Sequence, residues 1–136
     1  MIRICQSAYD ALIAFAREST DRLPGGVLGG RIENGQRTVL KAYRMANASG
    51  GAAYAPDRGE HSSAMSDMTR NRLTTVGTWF CHRDTDAHMT SYEIQTAHDR
   101  DGSYLVLSLL DAAHPVLCSY RVWGGRADKE ELRIDG

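Results

Sequence analysis

Cysteine is scarce in this chain, with three among 136 residues, and so is proline, also three. Cys5, Cys81 and Cys118 are odd in number, far apart and free of any Cys-x-x-Cys pairing, which argues against both a disulfide framework and a zinc ribbon. A reducing cytoplasm is the compartment they fit. No apolar run reaches 18 residues, and Met1-Ile2-Arg3-Ile4-Cys5 passes directly into a helical pattern with no basic start and apolar stretch of a leader. The expectation is a protein neither exported nor embedded in a membrane. An excess of one charge is missing too. Sixteen basic and 17 acidic residues leave a net charge of -1, too little to gather nucleic acid or anionic lipid.

What the chain does have is enough apolar residue, 42%, to build one buried core, and residues 1–136 are read as a single domain. Ile2-Arg3-Ile4 alternates like a short strand. Ser7 sits where an N-cap would, ahead of Ala8, Leu12, Phe15 and Ala16 at helical spacing, so a helix is expected over residues 7–19. The glycine-rich stretch from Leu23 to Ile32 and the run Arg37 to Tyr43 flank Asn34-Gly35, the signature of a tight hairpin. Residues 47–57 read as a loop and residues 59–72 as a second helix. Thr74 to Cys81 is β-branched and aromatic, hence a strand, and it delivers His82 to a polar loop from Arg83 to Met89. Thr90 or Ser91 is placed to cap a short helix reaching about residue 99. Residues 104–110, 117–123 and 131–134 read as further strands. The sum is a mixed α/β (α+β) domain, a sheet flanked by helices.

The stretch Gly77-Thr78-Trp79-Phe80-Cys81-His82, then Arg83 to Met89, then Thr90-Ser91-Tyr92-Glu93, resembles without a gap the JAMM signature of the JAB/MPN (Mov34/PAD-1) metalloproteases, prokaryotic type. In that signature His-x-His is followed after seven residues by Ser and after two more by Asp. Gly26-Val27-Leu28-Gly29-Gly30 is similar to the family's Gly-x-Leu-x-Gly strand, and Ser119-Tyr120-Arg121-Val122 to its closing strand. The resemblance implies a JAB1/MPN-like fold of cytidine-deaminase-like architecture. It also implies a zinc held by the two histidines and the aspartate, a serine that steadies the oxyanion or bound water, and a glutamate just before the glycine strand that moves protons.

Carried across position by position, the first histidine is Phe80, which has no lone pair for a metal. His82 stands as written. The serine is Thr90, which keeps a hydroxyl, and the aspartate is Glu93, which keeps a carboxylate on a longer arm. The glutamate falls on Leu23, beside Arg22 of the wrong sign, and the usual flanking prolines are Arg83 and Met89. A catalytic zinc site needs three protein ligands and an open position. Loss of a general base alone costs about two to four orders of magnitude in rate. Phe80, His82, Thr90 and Glu93 are therefore read as a vestigial site, with no catalytic residue intact, no metal and no cofactor expected.

The resemblance then implies a non-catalytic binding or assembly partner, for the tail of a ubiquitin-like or sulfur-carrier protein or for another MPN subunit. The competing reading is a metal-dependent hydrolase or isopeptidase with an altered ligand set, zinc on His82, Glu93 and His88, with Thr90 as the water or oxyanion partner. A thiol nucleophile at Cys81 is disfavoured, since successive strand residues face opposite ways and Cys81 should point away from His82. Asp84, Asp86 and Glu93 form an acidic group whose plain reading is a solvated loop and a helix N-terminus. His61, His98 and His114 have no spacing partner and are read as surface residues. The glycines at 25, 26, 29 and 30 lack the Gly-Lys-Ser/Thr that a phosphate loop needs.

Overall fold

The structure is a computed structural model, and it describes residues 1–47, 55–97, 99 and 101–136. In chain order its elements are β1 (Ile2–Cys5), α1 (Gln6–Glu18), β2 (Gly25–Glu33), β3 (Gln36–Met45), α2 (Arg58–Arg70), β4 (Thr74–His82), α3 (Ser91–Thr96), β5 (Ser103–Ser108), β6 (Val116–Trp123), β7 (Arg126–Glu130) and β8 (Leu132–Asp135). The mixed α+β expectation holds. All eight strands join one sheet in the order β7-β6-β5-β4-β2-β3-β1-β8. The pairs β1·β3, β1·β8 and β4·β5 are parallel and the rest antiparallel.

The two edge strands, β7 and β8, are separated in sequence by Glu131 alone, so the sheet must curl until its edges approach one another. Two bulges help bend it. Opposite Gly29, one residue is added on β3 and one on β4, which raises local twist. Polar side chains tie the curled strands across the enclosed face. Arg37 Nη1 on β3 donates to Ser103 Oγ on β5 at 3.0 Å, and the hydroxyls of Ser103 and Ser119 both donate to Glu130 Oε1, at 2.5 and 2.8 Å.

The curl wraps α1. Ala8, Leu12 and Ala16, at helical spacing, pack with Ile2, Ile4, Leu28, Val39, Trp79, Leu105 and Leu107 in the main core. On the opposite face Met68 and Ala64 of α2 meet Val27 and Met45. A third cluster, Leu23, Phe80, Ala87, Met89, Tyr104, Val106 and Val122, lies beneath the loop after β4. Among the described residues no helix is long and apolar enough to cross a membrane.

The hairpin at Asn34-Gly35 forms as expected, with both residues at positive φ (51° and 76°), the requirement of the turn that matches strand twist. Other expectations need correction. The first helix starts at Gln6, not Ser7, because β1 runs straight into it; Cys5 is the N-cap residue and contributes no side-chain cap. The second helix begins one residue early, capped by Asp57 accepting from Glu60 N, and ends at Arg70. Helix α3 stops at Thr96, short of residue 99. β5 ends at Ser108, before Leu109 and Leu110, and β8 is shifted one residue on. Strand β7 was not expected at all. Its sequence, Arg-Ala-Asp-Lys-Glu, carries no apolar alternation, and it is held by pairing with β6 across Gly124-Gly125. Most of the expected 47–57 loop falls outside the described residues, which hold Asn47 and Pro56 in an isolated bridge.

Candidate functional site

β4 is a central strand, and its alternation sets the site. Trp79 and Cys81 turn into the core around α1, while Phe80 and His82 turn to the other face, their rings 5.7 Å apart. Cys81 therefore does point away from His82. Burial pushes its thiol up to about 11, opposed only by the nearby charge of Arg83, so no thiolate nucleophile is prepared there.

His82, at the end of β4, is 6% exposed, and both ring nitrogens are engaged. Nδ1 is 2.9 Å from the carbonyl oxygen of Asp86, and Nε2 is 2.7 Å from Glu93 Oε2. A carbonyl only accepts, so Nδ1 carries a proton and donates it. One further proton lies between Nε2 and Oε2, and whichever atom holds it, the pair as a whole is neutral.

Glu93 is held from the other side by α3. It is the third helical residue after Thr90, and the two make a reciprocal capping box. Thr90 N donates to Glu93 Oε1 at 2.8 Å, and Glu93 N donates to Thr90 Oγ1 at 3.1 Å. Both carboxylate oxygens are thus committed, and Glu93 is 5% exposed. Asp84 and Asp86 are exposed in the loop and Glu93 sits in the first turn of α3, as the plain reading had it, but Glu93 is also buried against His82. The extra methylene of Glu93 lets one carboxylate serve the helix N-terminus and the imidazole together.

The loop between His82 and Thr90 is pinned by contacts to backbone carbonyls. Tyr120 Oη donates to Ala87 O at 2.6 Å, Ser108 Oγ to Thr85 O at 2.6 Å, and Arg83 Nη2 to Ser19 O at 2.6 Å. Asp86 O, Tyr120 and Ser108 were not anticipated from sequence, because a carbonyl acceptor has no sequence signature. His88 is brought near, its ring 6.4 Å from that of His82, but it is exposed and its Nδ1 bonds Asp86 Oδ1. His114 is exposed beside Asp111, His61 is half-buried on α2, and His98 lies outside the described residues.

Phe80 (3% exposed) and Leu23 (7%) occupy the same apolar cluster. The positions that would supply the first metal ligand and the proton carrier are thus both hydrocarbon, packed with Met89 and Val106. These residues do not fit a catalytic zinc. His82 Nε2 and Glu93 Oε2 are two donors where three are needed, each facing the other at hydrogen-bond distance. Among the described residues no three His, Cys, Asp or Glu side chains converge on a metal position.

No family model matches the chain. No curated protein matches it either. Solved structures do. Protein DSY2949 from Desulfitobacterium hafniense is 27% identical with a TM-score of 0.90, over 99% of this chain and 93% of that one. A protein from Salinibacter ruber (strain DSM 13855) is 17% identical with a TM-score of 0.74, over 97% of this chain and 90% of its own, a likeness of fold alone. The likeness of fold to both extends over nearly the whole of this chain.

Proposed function

We propose that this chain is a catalytically degenerate domain of the JAB/MPN type, with the cytidine-deaminase-like architecture that type implies, acting as a binding or assembly partner. Its partner on this reading is the tail of a ubiquitin-like or sulfur-carrier protein, or another MPN subunit, in a cytoplasmic setting. One observation carries the reading: the atoms that would ligate zinc, His82 Nε2 and Glu93 Oε2, bond each other at 2.7 Å. The apolar cluster at Leu23 and Phe80 supports it, since a packed hydrocarbon pocket needs neither metal nor water.

The alternative, a zinc hydrolase or isopeptidase on His82, Glu93 and His88, draws on the nearness of the two histidine rings. Metal content after zinc loading and dialysis, read by plasma mass spectrometry, separates the two. Retention below about a tenth of an equivalent is expected from a two-donor site. Retention near one equivalent that His82→Ala abolishes would overturn the proposal and support the alternative. The binding half is tested by fluorescence titration with a sulfur-carrier protein, intact and with its C-terminal tail removed; equal affinity for both would refute tail recognition.

A further inference from the structure

Strand β3 runs farther than the strand beside it. β1 pairs with β3 only at Arg37, Thr38 and Val39, and then turns into α1 at Gln6. From there to Met45, β3 pairs with β2 on one side, and among the described residues no strand lies on the other. Backbone groups alternate in direction along a strand. The carbonyl of Tyr43 points toward β2: it accepts the indole N–H of Trp79 at 2.9 Å, and a Cβ on Gly26 of β2 would fall 1.6 Å from its oxygen. The groups of Ala46 point the other way, its N–H to Glu60 Oε2 and its carbonyl to Asp57 N. Ala42 and Arg44 share the parity of Ala46, so their N–H and C=O groups face outward.

They face into a groove of about 800 Å³. One wall carries Phe15 of α1, the floor is β3 from Lys41 to Arg44, and the other wall is α2, small-sided at Gly59, Ser63 and Ala64. Its charged groups each have a partner: the carboxylates of Asp57 and Glu60 on the α2 side accept from Glu60 N and Ala46 N. Lys41 Nζ is 2.8 Å from Asp67 Oδ2, and Arg44 is 3.9 Å from Glu18.

We infer that the outer edge of β3 at Ala42–Arg44 is a docking site for an extended, uncharged segment of a partner polypeptide, added to the sheet as a further strand between α1 and α2. Strand addition takes its affinity from main-chain hydrogen bonds and its selectivity from alternate side chains. Here one row of the incoming side chains meets Phe15 and Ala42. The other meets Gly59, Ser63 and Ala64, where the small wall leaves room for larger apolar groups. A second folded copy does not fit, because its own β3 edge is recessed between the same two helices. The edge belongs to elements other than those carrying His82 and Glu93, so the inference stands independently of the proposal above.

The test is amide hydrogen exchange by NMR on the whole chain, alone and with a blocked heptapeptide pool alternating Val, Leu or Ile with Thr, Ser or Ala. Alone, Ala42 and Arg44 should exchange about 100-fold faster than Tyr43, and about 1 mM peptide should slow them roughly tenfold. Arg44→Pro removes an outward N–H that no strand among the described residues uses, and Ser63→Trp fills the groove from an exposed helix position; each should abolish the slowing. Ser63→Trp keeps the result readable should the proline variant fail to fold. Ala42 and Arg44 as protected as Tyr43 in the free chain would overturn the inference. So would no slowing by the pool, or undiminished slowing in Ser63→Trp.

Discussion

Leu23, in the connection between α1 and β2, and Phe80, on β4, are far apart in sequence yet belong to one buried apolar cluster. At these two places the JAMM layout would set a proton carrier and a metal ligand. Hydrocarbon at both is coherent as packing, since a lone polar group left among Met89, Val106 and Val122 would be buried without a partner.

Phe80→Asn or Phe80→His should accordingly destabilise the chain, by about 2–4 kcal/mol in EDTA, through lost burial and a new buried polar group. Urea unfolding measures this. If Phe80→His gives an unchanged midpoint in EDTA, the aromatic is not what keeps the metal-free pocket packed.

The His82–Glu93 pair predicts an asymmetry between two substitutions. His82→Ala leaves Glu93 buried with Oε2 unmet and should cost about 3–5 kcal/mol. Glu93→Gln should cost nearer 1 kcal/mol, because its amide still accepts from Thr90 N and can donate to Nε2 of a neutral imidazole. Equal losses in denaturant titrations would mean the two side chains do not meet as described.

Thr90→Ala removes the cap on α3 that positions Glu93 and should lower stability by about 0.5–2 kcal/mol. Thr90→Ser, which keeps the oxygen, should restore most of it. A serine variant as unstable as the alanine one would show that the methyl, not the cap, matters.

Thiol labelling at pH 8 should modify Cys5 and Cys118, both partly exposed, well before Cys81, which is buried with its thiol pushed up to about 11. Peptide mapping after brief treatment with iodoacetamide reads the order. Early labelling of Cys81 would reopen the nucleophile reading.

Acid sensitivity should reside partly in Asp67. The hydrogen bond from Lys41, and then that from Tyr43, hold its carboxyl below the ordinary 3.8, at about 2. A depressed carboxyl stabilises the fold fully above its unfolded value and loses that contribution as pH falls from near 4 toward 2. Asp67→Asn should therefore melt below the native chain at pH 6, and the gap should close at pH 2. A gap that persists there would place the effect elsewhere than in the charge.

Much of this was legible locally. The order of helices and strands followed from periodicity, the β2–β3 turn from Asn34-Gly35, and the opposed facing of Cys81 and His82 from strand alternation. The capping geometry at Thr90 and Glu93 was half visible. Thr90 or Ser91 was anticipated as the cap, and it is Thr90, but the reach of Glu93 back to Thr90 N and across to His82 was not anticipated. Strand β7 was missed because Arg126 to Glu130 is polar at every position but Ala127 and shows no apolar alternation. Its one usable signal was Gly124-Gly125, a turn pair whose positive φ values (60° and 76°) match those of the hairpin that was found.

The sequence by itself determined the elements other than β7, to within a few residues at their ends, because helical and strand spacing are set by neighbours a few residues away, and it placed His82 at a strand end and Glu93 in a helix's first turn. Only the tertiary structure decided that these two meet at hydrogen-bond distance, that Leu23 and Phe80 join one cluster, and that the sheet curls far enough for Arg37 to reach Ser103. It also decided that β3 outruns β1, which pairs with it only from Arg37 to Val39. Each of these depends on strands separated by tens of residues coming into register, and long-range register is settled by packing around α1 rather than by local pattern.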